Sequence, residues 1–356
     1  MPFDPAVLTD DDGKVFLYYG FAPAGDKAID VPDLSEEELN ALPDDIRETM
    51  MTLMHMQMGE NGMVAELEAD MVTLKEVPHP LIPGEKHTAG TGFEGHGFFE
   101  ASSIRKAGEK YYFVYSSHKS HELCYAVSDK PDREFQFGGT IISNGDIGMN
   151  GREKPVYTLG NNHGGIVQAD GQWYIFYHRQ TNGTEFSRQG CAERIKIDEN
   201  GKIEQVEITS CGLNGGPLKG SGTYPAAIAC HLTSPSTMEK IDYQSPVMQT
   251  QTRITENQKV SFITAITGGT VIGYKYFTSE HVEAVLLELR GKFKGQIKIC
   301  GDEKGEEIFG RKEVDMCGAC WKNISVQMNV PKADMYPVYF LFDGEGELDM
   351  KSFSFI

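Results

Sequence analysis

The sequence predicts an all-β protein: a partial β-propeller over residues 1–236, then a jelly-roll-like antiparallel β-sandwich over residues 237–356. Two observations carry this expectation. One hairpin grammar recurs three times in the first two-thirds of the chain, and a different run of short strands fills the last third.

The grammar is a polar residue, a short apolar strand, a glycine turn and an aromatic-rich strand. It reads Asp4-Pro-Ala-Val-Leu to Gly13-Lys-Val-Phe-Leu-Tyr-Tyr-Gly20, then Glu100-Ala-Ser-Ser-Ile to Gly108-Glu-Lys-Tyr-Tyr-Phe-Val-Tyr115. The third copy runs from His163-Gly-Gly-Ile-Val to Gly171-Gln-Trp-Tyr-Ile-Phe-Tyr177. Aromatic and β-branched runs on either side of a glycine turn are hairpin chemistry. Outer strands follow at Leu123–Val127 and Arg194–Asp198. Repeated small antiparallel sheets with almost no helix predict a propeller, whose first strands line a central channel. Asp4, Glu100 and His163 occupy equivalent places in the repeat, which predicts that they share one end of that channel.

Between the first two units the grammar is interrupted. Ser35-Glu-Glu-Glu-Leu begins like a capped helix, and the stretch to Met58, with methionines at 50, 51, 54, 56 and 58, reads as an insertion. Strands at Met63–Leu67 and Met71–Leu74 resume the sheet. A closed propeller needs about four blades or more. Only three inner hairpins are visible, and the expectation is that blades preceding Met1 are missing.

Short strands are predicted at 270–277, 284–289, 295–300, 324–328, 338–342 and 348–355, with turns at Gly291, Gly301, Gly305, Gly344 and Gly346. Thr9-Asp-Asp-Asp-Gly13 and Asp302-Glu-Lys-Gly-Glu306 carry too few ligands for calcium loops and read as hairpin turns. Trp321, Tyr274 and Tyr276 suit either sugar stacking or core packing.

Thirty-three basic against fifty-two acidic residues leave a net charge of −19. Such a field disfavours nucleic acid and anionic membranes as partners, and a neutral sugar is compatible with it. No apolar run of about 18 residues is present to span a membrane. The N-terminus shows no signal peptide, and seven scattered cysteines, an odd number, favour a reducing, cytoplasmic setting. Export is compatible with a signal lost alongside missing N-terminal blades. The Cys317-Gly-Ala-Cys320 pair lacks the second ligand pair that a zinc site needs.

On Asp4-Pro…Asp-Asp-Gly13, Glu100…Ile104-Arg-Lys106…Tyr-Tyr-Phe-Val-Tyr115, Asn161-Asn-His-Gly-Gly165 and Trp173-Tyr-Ile-Phe-Tyr-His-Arg179, the chain resembles glycoside hydrolase family 43. Gln180–Thr184, Arg188-Gln-Gly-Cys191 and Cys211–Gly216 are similar to the arabinofuranosidase/xylosidase-like branch with a C-terminal family 6-like carbohydrate-binding module. The resemblance implies a five-bladed propeller and hydrolysis of arabinofuranosides or xylosides with inversion, on arabinoxylan-type or arabinan-type oligosaccharides. It implies Glu100 as general acid and Asp4 as the carboxylate that orients that acid and raises its pKa. His163, Asn162 and Arg188 follow as substrate-binding residues. In some relatives the histidine matched by His163 helps hold a central metal ion or water cluster; the resemblance implies no required cofactor and is compatible with a structural calcium. The family's general base is an aspartate of the first blade, and nothing upstream of Asp4 matches it.

Inverting hydrolysis needs an acid and a base carboxylate roughly 6.5–9.5 Å apart, which residues from different blades can supply. A second carboxylate beside the acid keeps it protonated by like-charge repulsion. The competing expectation is a non-catalytic glycan-binding protein or inactive fragment, because the base-bearing blade is not in view.

Overall fold

The computed structural model describes residues 3–23, 35–43, 46–47, 59–184, 186–278, 282–330 and 333–356. The methionines at 50, 51, 54, 56 and 58 lie outside the described residues. The capped start of the insertion is present: Ser35 accepts from the Glu38 backbone N–H, the Glu38 carboxylate accepts from the Ser35 backbone N–H, and a short helix spans Glu36–Asn40.

The chain divides into two compact units. The first comprises 1–141, 162–173 and 196–204. It holds two four-stranded antiparallel meanders, as propeller blades do. One is β1 (Ala6–Thr9), β2 (Val15–Tyr19), β3 (Asn61–Leu67) and β4 (His79–Pro83). The other is β5 (Phe98–Ala107), β6 (Lys110–Ser117), β7 (Glu122–Ser128) and β8 (Gln136–Ser143). β9 (Gly165–Ala169) also belongs to this unit and opens the third hairpin. Gly13, Gly108 and Gly171 all have positive φ, which explains why the three turns share glycine.

The two blades bury one aromatic core. Phe16 and Tyr18 of β2, Val64 of β3, Phe98 and Ile104 of β5, and Phe113 and Tyr115 of β6 meet there. At its edge Asp10 accepts from the Tyr111 hydroxyl at 2.7 Å and from Lys106 Nζ at 3.1 Å, stitching the first turn to the second blade.

One strand of the first blade departs from expectation. Met71–Thr73 is a bend, where the Asp70 carboxylate accepts from the backbone N–H groups of Val72 and Thr73, and only Leu74 pairs, as an isolated bridge to Leu67. The fourth strand is instead β4, whose two prolines hid it. An edge position tolerates their missing donors.

The second unit comprises 142–161, 174–195 and 205–356. Two of its strands are β10 (Gln172–Gln180), whose first two residues belong to the first unit, and β11 (Arg188–Ile195). Its large sheet begins upstream of residue 237: β12 (Gly222–Pro225) and β13 (His231–Thr233) already pair into it. The rest is β14 (Arg253–Asn257), β15 (Val260–Ile266), β16 (Val271–Thr278), β17 (Ala284–Cys300), β18 (Ile308–Gln327) and β19 (Met335–Phe355).

Gly291, Gly344 and Gly346 are not turns. Gly291 and Gly295 sit inside β17 and face Leu348 and Gly344 of β19, while Gly346 faces Phe293. A Cβ at Gly291, Gly295, Gly344 or Gly346 would collide with a carbonyl oxygen of the facing strand. The glycines therefore permit close backbone approach and bending, so that long strands curl around the core instead of ending. Gly301 and Gly305 do form the β17–β18 turn, where the Asp302 carboxylate accepts from the backbone N–H groups of Lys304 and Glu307, as the hairpin reading expects. Tyr274 is wholly buried against Phe353 at 4.5 Å, so it packs the core and offers no face to a sugar.

Candidate active site

Glu100 sits near the start of β5, and the strand is irregular on both sides of it. Phe98 pairs with Ser117 and Glu100 with Ser116, leaving Phe99 without a partner position; Ser103 pairs with Val114, so Ala101 and Ser102 together face Tyr115. Ala101 takes φ 70°, a left-handed backbone unusual for a non-glycine residue. Bulges re-aim side chains, and Glu100 is bracketed by two of them. It is buried to 9% exposure.

Asp4 lies in the loop before β1 with φ 46°, a conformation aspartate tolerates better than most residues. The Gly20 N–H donates to the Phe3 carbonyl at 3.0 Å and holds that loop against the end of β2. His163 belongs to the loop preceding β9, and its Nδ1 is 3.6 Å from Asp4 Oδ2. Gly165, two residues further on, lies so close to Ser103 that a Cβ there would press on its hydroxyl. The structure thus brings Asp4 and His163 together and sets the His163 loop against the strand that carries Glu100.

Asn162 is wholly buried, and its amide donates to the His121 carbonyl at 3.4 Å. Its side chain ties the His163 loop to the β6–β7 turn. Arg188 is exposed at the first position of β11, in the second unit.

Sequence reasoning missed a buried polar cluster beside the entry to β5. Glu122 is buried at the start of β7, where it accepts from Ser117 Oγ at 2.6 Å and pairs with His96 Nδ1 at 2.7 Å. Thr140 Oγ1 donates to it at 3.2 Å, and Lys119 Nζ is 3.6 Å away. Burial pushes the carboxyl pKa up, but His96, Ser117 and Lys119 outweigh it and bring it down to about 2. The His96 carbonyl accepts from Tyr115 OH at 2.8 Å. The neighbouring Gly97 N–H donates to Glu85 at 3.0 Å, and the His118 N–H donates to the Gly97 carbonyl at 3.0 Å. Glu85 also pairs with the His118 ring at 2.8 Å. The Glu122–His96 pair and the backbone hydrogen bonds of Gly97 therefore pin the segment that enters the Glu100 strand. The signal was present: four of the ten histidines, His87, His96, His118 and His121, fall within 85–124.

Among the described residues, metal-ligand atoms gather at His96, Glu122 and Cys124, within 4.8 Å of one another. That arrangement does not suit a metal. Lys119 already supplies the cation, 3.4 Å from His96 Nε2, and burial holds the Cys124 thiol neutral. At His163 the donors are an imidazole beside one carboxylate, whereas calcium takes about 6–8 oxygen ligands. Waters are among calcium's ligands, so this pair would supply only part of its shell.

The profile of the glycosyl hydrolases family 43 matches residues 1–203. A xylosidase/arabinosidase of Thermoclostridium stercorarium is 40% identical over 99% of this chain and 69% of its own length. An arabinoxylan arabinofuranohydrolase of Paenibacillus polymyxa is 24% identical over 97% of this chain and 49% of its own. The crystal structure of a family 43 arabinoxylan arabinofuranohydrolase from Bacillus subtilis, in complex with cellotetraose, aligns at 18% identity and a TM-score of 0.44, covering 99% of this chain and 66% of that one. The chain thus spans about two thirds of the first relative and about half of the second. With the profile covering more than half of the chain and the first relative matching along nearly all of it, the chain belongs to family 43 of the glycosyl hydrolases.

Proposed function

We propose that this glycoside hydrolase chain is of the xylosidase/arabinosidase type and releases arabinosyl or xylosyl units from arabinoxylan-type or arabinan-type oligosaccharides with inversion. The observation that carries the reading is Glu100, held between two bulges on a strand against which the Asp4–His163 loops are set. In this reading Glu100 gives its proton to the glycosidic oxygen as the bond to the anomeric carbon breaks. Water attacks that carbon from the opposite face and loses its proton to a second carboxylate. Asp4 orients the acid, and His163 fixes Asp4 while presenting its half-exposed ring to the sugar. The names of the relatives support the substrate class, since they pair xylosidase with arabinosidase activity and arabinose removal with arabinoxylan.

The test compares the unaltered chain with Glu100→Gln on two kinds of substrate. Loss of a general acid costs about 10²–10⁴ in rate on natural oligosaccharides. The loss should shrink on aryl glycosides whose leaving group needs no proton. Proton NMR of the first sugar released should show the inverted anomer. An equal loss on both substrates, or a retained anomer, would overturn the assignment.

A further inference from the structure

The pair Cys317 and Cys320 has no part in the hydrolytic reading, and both thiols are exposed. In a regular strand, residues three apart point to opposite faces and sit roughly 10 Å apart. That is beyond the Cα separation of about 4.4–6.8 Å that a disulfide needs. Here the strand is not regular. Cys317 pairs with Lys292 and Gly318 with Gly291, but the next pair is Lys322 with Leu289. Ala319, Cys320 and Trp321 therefore all stand opposite one residue, Arg290.

Five steps of β18, from Cys317 to Lys322, are thus accommodated against three steps of β17. By strand geometry the span shrinks from roughly 17 Å to roughly 10 Å, so the intervening chain must arch out of the ladder. Gly318, at φ 155°, opens the arch in a backbone region that side chains rarely adopt. The register thus shortens the spacing along the strand between Cys317 and the residues that follow it. β18 has β17 as its strand neighbour among the described strands, so the arch rises from a sheet edge. The far foot of the arch is anchored, because the Trp321 ring lies under the Arg290 guanidinium at 4.4 Å and edge-on to Phe262 at 5.8 Å.

We propose that Cys317 and Cys320 form a reversible dithiol–disulfide site that locks the arch beneath Trp321. The oxidant class is a small-molecule disulfide. One thiolate attacks it, forming a mixed disulfide and releasing one thiol. The second cysteine thiolate then attacks the protein sulfur of that mixed disulfide, closes the Cys317–Cys320 bond and expels the second thiol. Two electrons pass from the cysteine pair to the small disulfide, and the two cysteine protons end on the released thiols. The other five cysteines are buried or half-buried, so the exchange is confined to this pair.

The experiment treats the full chain with oxidised glutathione, alkylates the remaining thiols and maps peptides without reduction. The expected product is a 317–320 peptide lighter by two hydrogens and carrying no glutathione, restored by dithiothreitol. Cys317→Ser should trap one glutathione on Cys320, and Cys320→Ser one on Cys317. Because the unaltered chain must shed both glutathiones, persistence of two mixed disulfides would overturn the proposal by showing that the arch holds the sulfurs apart. Full alkylation of both thiols after treatment would overturn it equally.

Discussion

His163 Nδ1 stands 3.6 Å from Asp4 Oδ2, although 158 residues separate the two loops in sequence. Both loops precede the first strand of a hairpin, so the pairing joins equivalent positions of the repeat. A negative residue meeting an imidazole at that place has a mechanical consequence for each.

In the proposed reading, replacing Asp4 by alanine removes the carboxylate that orients the acid and takes away the carboxylate 3.6 Å from His163 Nδ1. The expected outcome is a fall in kcat of roughly 10²-fold with KM changed far less. Asp4→Asn keeps the shape and should retain the fold to the same melting temperature. Steady-state kinetics of both variants, with circular dichroism as the folding control, checks this.

Glu122 makes a pH prediction with a definite sign. Its folded pKa of about 2 lies below its ordinary value of 4.5, so its stabilising contribution is complete above about pH 4.5 and is lost as pH falls toward 2. The shift corresponds to roughly 3 kcal/mol. Glu122→Gln should therefore destabilise the chain by roughly that amount at pH 7 and by little at pH 2. Urea unfolding at several pH values measures the difference.

Glu193 runs the other way. It is buried on β11, accepting from the Thr209 N–H at 2.7 Å and the Thr209 hydroxyl at 2.6 Å, yet burial pushes its pKa up to about 7. A raised carboxyl pKa gives stability that is present below about pH 4.5 and lost as pH rises through 7. Thermal melts should show the unaltered chain losing stability between pH 5 and 8, and Glu193→Gln should flatten that slope.

The glycine stack of the second unit is a packing prediction. A Cβ at Gly344 would strike the Lys294 carbonyl oxygen in the facing strand. Gly344→Ala should cost about 1–3 kcal/mol, the usual range for overpacking, and Gly344→Val more. By contrast Gly212→Ala, where nothing lies within 4 Å, should be limited to the strain of its φ of 52°. Melting temperatures of the three variants rank these effects.

Period, composition and turn chemistry are local properties, and they alone determined the β class, the three hairpins and the polar residue at the head of each. The turn glycines at 13, 108 and 171 were legible because a left-handed turn imposes its requirement within four residues. The helix cap at Ser35 and the Asp302 turn were legible for the same reason. What tertiary structure decided was everything whose partner lies far along the chain. Gly291 and Gly344 look like turn residues until the facing strand is known; only the register of β17 on β19 turns them into close-approach points. Tyr274 resembles a stacking platform until Phe353 covers it. His96 and Glu122 are 26 residues apart and unremarkable alone, yet pairing of β5, β6 and β7 places one buried carboxylate among an imidazole, two hydroxyls and an ammonium. A sequence records which donors and acceptors exist, whereas strand register decides which of them meet away from water, and that meeting sets their charge and their role.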